Sequence, residues 1–83
     1  MSEHAERPDT WELLFPASAD GSAAEETLLV TRTSGTGAGG HPVYEDRSGI
    51  VRAEISDRGE VRMLASGGRQ SPPHGVRARR PSA

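Results

Sequence analysis

Two short turn signals constrain this chain more than any other feature: Asp46-Arg47-Ser48-Gly49 and Asp57-Arg58-Gly59. An aspartate that opens a bend bonds to nearby backbone, and a glycine that closes it accepts positive φ without a Cβ clash. Both fit hairpin loops that end in a left-handed residue. Taking Asp57, Arg58 and Gly59 as a three-residue loop sets the register of the flanks. Ser56 then faces Glu60, Ile55 faces Val61, Glu54 faces Arg62 and Ala53 faces Met63. The apolar pairs fall on one face and the charge pair on the other. A one-residue slip would mix the two sets.

Further strands follow from the period-two pattern. In Thr10-Trp11-Glu12-Leu13-Leu14-Phe15, the residues Trp11, Leu13 and Phe15 share a face, and Pro16 ends the strand. Thr27 to Thr33 is rich in β-branched residues and shows no helical period. The segment before it, Ala17 to Glu25, reads as a loop. Its Ser22-Ala23-Ala24-Glu25 also matches a capping box, which leaves a short helix as the rival reading. His41 to Glu45 is a short strand, placed at a sheet edge because Pro42 lacks an N–H.

The apolar residues are few but concentrated. Leu, Ile, Val and Phe number 13 of 83, and all but Val76 lie between Leu13 and Leu64. That share lies below the roughly 20% at which disorder becomes a serious option, yet the net charge of −2 is small. The expectation is one small all-β domain over residues 10–66, an antiparallel meander of four to five strands in a half-barrel or single sheet. Residues 1–9 form a disordered lead-in, and 67–83 a disordered basic Pro/Gly/Arg tail. Leu14, Leu29, Val43, Ile50 and Leu64 fall out of phase with the main apolar set, as in a curled sheet or one covered by a second copy.

Several functional classes drop out. There is no cysteine, which excludes disulfides, thiolate metal sites and thiol nucleophiles. No apolar run reaches the length of a membrane span. The acidic start Met1-Ser2-Glu3-His4-Ala5-Glu6 lacks signal-peptide order, so the expected location is the cytoplasm. All ten basic residues are arginine; residues 1–60 carry a net −7 and residues 61–83 a net +5.

Gly35-Thr36-Gly37-Ala38-Gly39-Gly40 matches G-x-G-x-x-G literally. Dinucleotide chemistry needs a helix to start at that loop. Here His41-Pro42 and a strand follow, so the segment reads as a strand connection. His4, His41 and His74 stand at no ligand spacing from one another. The pairs Glu25-Glu26 and Glu45-Asp46 are adjacent, and neighbours on a strand point apart. No catalytic residue, cofactor site or metal site is assigned. Enzymatic chemistry would need His41 to converge with Glu45 or Asp46 in a cleft.

The block Gly39-Gly40-His41-Pro42-Val43-Tyr44, continuing through Gly49-Ile50-Val51-Arg52-Ala53-Glu54-Ile55-Ser56-Asp57 to Glu60-Val61-Arg62-Met63-Leu64-Ala65, resembles a family of small uncharacterised actinomycete proteins, a domain of unknown function. Trp11-Glu12-Leu13-Leu14-Phe15 is similar to its usual opening strand. The resemblance implies an origin and a length class, and no activity.

The expected function is therefore that of a non-enzymatic interaction or accessory module, pairing with a protein or with itself. Its candidate surface is Leu14, Leu29, Val43, Tyr44, Ile50 and Leu64. The alternative is a nucleic-acid accessory protein. Its candidate contacts to an anionic partner are Arg32, Arg52 and Arg62, expected along one sheet surface, together with Arg77, Arg79 and Arg80 in the tail.

Overall fold

The computed structural model describes residues 9–18, 20–21, 24–66 and 75–81. They form β1 (Thr10–Phe15), β2 (Glu26–Thr36), β3 (Pro42–Glu45), β4 (Val51–Ile55), β5 (Val61–Ser66) and β6 (Arg77–Arg79). All strands pair antiparallel in one sheet of order β5-β4-β3-β2-β1-β6. The fold is all-β, with no helix among the described residues.

Both turn signals act as their chemistry requires. Gly49 has φ +78° and Gly59 φ +83°. In the first turn, Asp46 Oδ1 accepts from the Val51 N–H at 3.0 Å, and the Ser48 hydroxyl donates to the same carboxylate at 2.9 Å. In the second, the β4–β5 register pairs Ile55 with Val61, Glu54 with Arg62 and Ala53 with Met63. The buried Ser56 hydroxyl accepts from the N–H groups of Arg58 and Glu60, at 3.2 and 3.1 Å. Beyond Ala53 the pairing shifts, with Arg52 opposite Ala65, so Leu64 is the extra residue of a bulge.

One face of the sheet carries the core. Trp11, Leu13, Phe15, Val30, Tyr44, Val51, Ala53 and Ile55 are buried together, with Leu28, Val61, Met63, Val76 and Ala78 packed against them. A Cβ built on Gly59 would lie 3.4 Å from the Trp11 ring and 3.3 Å from the Ala78 carbonyl oxygen. The β4–β5 turn therefore reaches β1, three strands away in the sheet order. In a flat sheet those strands would stand roughly 14 Å apart at ~4.8 Å per step. The sheet is curled into a half-barrel around its own side chains.

Three features differ from the reading of the sequence. β3 lies between β2 and β4 and is not an edge. Pro42 is tolerated because it is the first residue of the strand, where a missing N–H breaks no inner ladder bond. β2 runs on through Ser34-Gly35-Thr36, which looked like loop. Between the pairs Arg32–Tyr44 and Thr36–Pro42 the register shifts, and the Thr33 hydroxyl donates to the Val43 carbonyl at 2.9 Å while accepting from the Gly35 N–H at 3.0 Å. That hydroxyl replaces ladder bonds lost at the irregularity.

The third difference is β6. It arises inside the segment expected to be a loose tail and pairs with β1: Glu12 opposite Arg79, Leu13 opposite Ala78 and Leu14 opposite Arg77. Alternation explains it, because Ala78 turns to the core while Arg77 and Arg79 stay exposed. Residues 1–8 and 67–74 lie outside the described residues, as do Ser22 and Ala23 of the capping-box reading; Ala24 and Glu25 carry no regular structure.

Candidate functional site

The glycine run at the β2–β3 connection encloses an anion, and the anion belongs to the protein itself. Gly37 donates to the His41 carbonyl at 2.8 Å, and Gly40 donates to the Gly37 carbonyl at 3.0 Å, with Gly40 at φ +87°. This tight bend lies over Glu54 of β4. The His41 N–H donates to Glu54 Oε2 at 3.1 Å. A Cβ on Gly37 would overlap the Glu54 carboxylate outright, and one on Gly39 would sit 2.6 Å from Oε2. A side chain at either position would have to displace the Glu54 carboxylate.

Glu54 is 3% exposed, although it points away from the main core. The His41 N–H bond does most to hold its pKa below the ordinary value. Burial works against this, and the Gly39 N–H and the charges of Arg62 and His41 add to the lowering. Oε1 is buried with no hydrogen-bond partner among the described residues. Val43, opposite Glu54 in β3, is buried on the same side. The loop is thus a lid of backbone amides fastened by a carboxylate, and those amides are not open to an external phosphate.

Asp46 is also held below its ordinary value. Burial pushes it up, but hydrogen bonds from the Val51 N–H, the Ser48 hydroxyl and the Ser48 and Gly49 N–H groups outweigh that. A carboxylate whose folded pKa is depressed stabilises the fold above its unfolded pKa, and the contribution disappears as pH falls through the folded value. Wild type is therefore expected to exceed Glu54→Gln in stability at pH 7. The gap should close as pH drops below 4.5, the ordinary value for this group. Urea midpoints of both proteins between pH 7 and pH 3 measure it; a constant gap would mean Glu54 is not a fastening anion.

The other candidates divide. Leu29, Ile50 and Leu64 are exposed, at 55%, 61% and 48%. Leu14 is half-buried next to Leu29's strand. Val43 and Tyr44 are buried and cannot present a surface, because β3 is interior and Tyr44 faces the core. Across the outward face, Arg79 donates to Glu12 at 2.8 Å, and Arg52 lies 3.8 Å from Glu45. The arginines do not line one surface as expected. Arg32 stands opposite core-facing Tyr44, whereas Arg52 and Arg62 alternate with core-facing Ala53 and Met63. Arg80 stacks over the Trp11 ring at 3.7 Å and donates to the Thr10 carbonyl at 2.9 Å.

Sequence reading missed Glu54 as anything but a surface charge paired with Arg62, and it missed Trp11 as the platform for Arg80. The one available signal for the first was a dense glycine cluster with no helix to serve. His41 contributes through its backbone, and its side chain is exposed. Among the described residues, no group of three or more His, Asp or Glu is placed to hold a metal ion. With no helix among them, none is long and apolar enough to cross a membrane.

Over residues 5–82 the chain matches a family described as a family of unknown function, DUF6296. The chain belongs to that family. No curated protein and no solved structure matches it. The DUF6296 span takes in all six strands. The basic C-terminal segment is therefore part of the family's domain and not an appendage to it.

Proposed function

We propose that this protein is a small non-enzymatic interaction module that binds another protein chain, or a second copy of itself, through apolar residues left on its solvent side. The observation that carries the reading is the exposure of Leu29, Ile50 and Leu64 in a chain so poor in large apolar side chains. Leu64 sits at the bulge of β5, which has a strand neighbour on one side only among the described residues. A bulge disfavours an added strand, whereas the exposed leucine suits a docked apolar side chain.

The nucleic-acid alternative has weaker support. Arg52, Arg79 and Arg80 already engage partners within the chain. Exposed ion pairs contribute little, so these arginines are not locked away. They do, however, lack the unopposed positive field that phosphate binding favours.

Light scattering after size exclusion, run up to high micromolar protein, tests self-association. Leu29→Glu and Leu64→Glu should each weaken it about 10-fold or more, since burying a leucine is worth about 1.5–3 kcal/mol. Neither change should shift the thermal midpoint appreciably, because both side chains are already exposed. A wild type that stays monomeric and retains no protein from its native cells would end this reading.

A further inference from the structure

We propose that the second edge of β1, with the Trp11 ring and the Glu12 carboxylate, is a docking groove for an extended peptide of pattern arginine–small–arginine–arginine, and that β6 is its resident occupant. This goes beyond the association surface above and uses the β1 strand that lies beside Leu29.

The groove reads its occupant at four points. The backbone of β1 pairs with three residues, Arg77 to Arg79, as an edge strand pairs with any extended chain. A small side chain sits opposite Leu13, where Ala78 turns inward and packs against the core. The Glu12 carboxylate accepts from the next residue, the Arg79 Nε, at 2.8 Å. The face of Trp11 takes the following cation, Arg80, at 3.7 Å from the ring centroid, in the geometry of a cation–π contact. An Arg fork then reaches the Thr10 carbonyl.

Two observations mark β6 as replaceable. It is the shortest strand of the sheet, and its arginines are exposed, so water and salt compete for their contacts. It also leaves the buried Trp11 Nε1–H with no acceptor among the described residues. Held in the same chain, β6 competes at a high effective concentration, so the groove is closed until a stronger strand arrives.

The test uses the full chain and its only tryptophan as reporter. The probe is a synthetic peptide of residues 75–81. In the double variant Arg79→Glu with Arg80→Ala, β6 is loosened and Trp11 emission should move to the red. Added peptide should restore wild-type emission, binding at least tenfold tighter than to wild type, and more weakly as salt rises. The charge swap Glu12→Arg with Arg79→Glu re-forms the internal contact, so that chain should keep wild-type emission and reject the native peptide. Unchanged emission in the loosened variant overturns the proposal, as does failure of the peptide to restore it. Loss of sheet in far-ultraviolet circular dichroism of the loosened variant also overturns it, by showing that β6 is structural and not an occupant.

Discussion

Gly37→Ala should lower the thermal midpoint far more than Gly35→Ala. The added methyl would occupy the space of the Glu54 carboxylate. Gly37 also pairs with the His41 carbonyl, so the backbone has little room to retreat. Either the loop lifts and the His41 N–H loses its acceptor, or Glu54 swings out and uncovers Val43. Overpacking of this kind costs about 1–3 kcal/mol. For a domain of this size that amounts to a fall of roughly 5–20 °C. Gly35→Ala is the matched control: a Cβ there meets its nearest neighbour, the Thr33 hydroxyl, at 3.4 Å, an ordinary contact. The cause can be isolated with Glu54→Ser, which removes the carboxylate. In that background, Gly37→Ala should cost much less than it does in wild type, since residues in contact are not additive. Equal costs in the two backgrounds would show that the glycine serves the turn and not the carboxylate.

What was legible in the sequence, and what was not, follows the distance over which each feature is decided. The β4–β5 hairpin was legible because turn chemistry and side-chain alternation sit within eleven residues, Ala53 to Met63, and agree. β1 was legible because Trp11, Leu13 and Phe15 declare a face by themselves. The Glu54 cradle was not, because an acid and a glycine cluster seventeen residues away must be known to meet. Read locally, Glu54 opposite Arg62 is an ordinary cross-strand charge pair. β3 was misplaced at an edge because a proline normally marks one, and nothing local says that the proline takes the first position of the strand. β6 was hidden for another reason: Arg-Ala-Arg brings one methyl group to the core. Its strand state depends on the β1 edge, Glu12 and Trp11, some 67 to 70 residues earlier in the chain. Of the apolar surface, Leu29, Ile50 and Leu64 were recognisable by phase. Val43 was not, because nothing in its own strand says that an out-of-phase valine is buried.

Leu13→Ala should leave a large fraction of the molecules unfolded at 37 °C. Leu13 is completely buried, at 0% exposure, in the middle of β1. It stands opposite Leu28 on one side and Ala78 on the other, so it fills the core at the point where β2, β1 and β6 come together. Leucine-to-alanine changes at such positions cost about 2–5 kcal/mol, the upper end applying where the surroundings cannot collapse. A domain of this length has roughly 4–12 kcal/mol in total at ~0.05–0.15 kcal/mol per residue. With few large side chains to re-pack, the loss falls near the upper end and takes much of that reserve. Leu14→Ala, one residue on, removes the same atoms from a half-buried position on the outward face, and should cost under about 1.5 kcal/mol by lost burial alone. Urea denaturation followed by Trp11 emission separates the two: the midpoint should collapse for Leu13→Ala and move little for Leu14→Ala, with similar slopes. The contrast tests the phase of β1 directly. Were Leu14→Ala the more damaging change, the strand would be turned over, and Trp11 and Phe15 would leave the core together with Leu13.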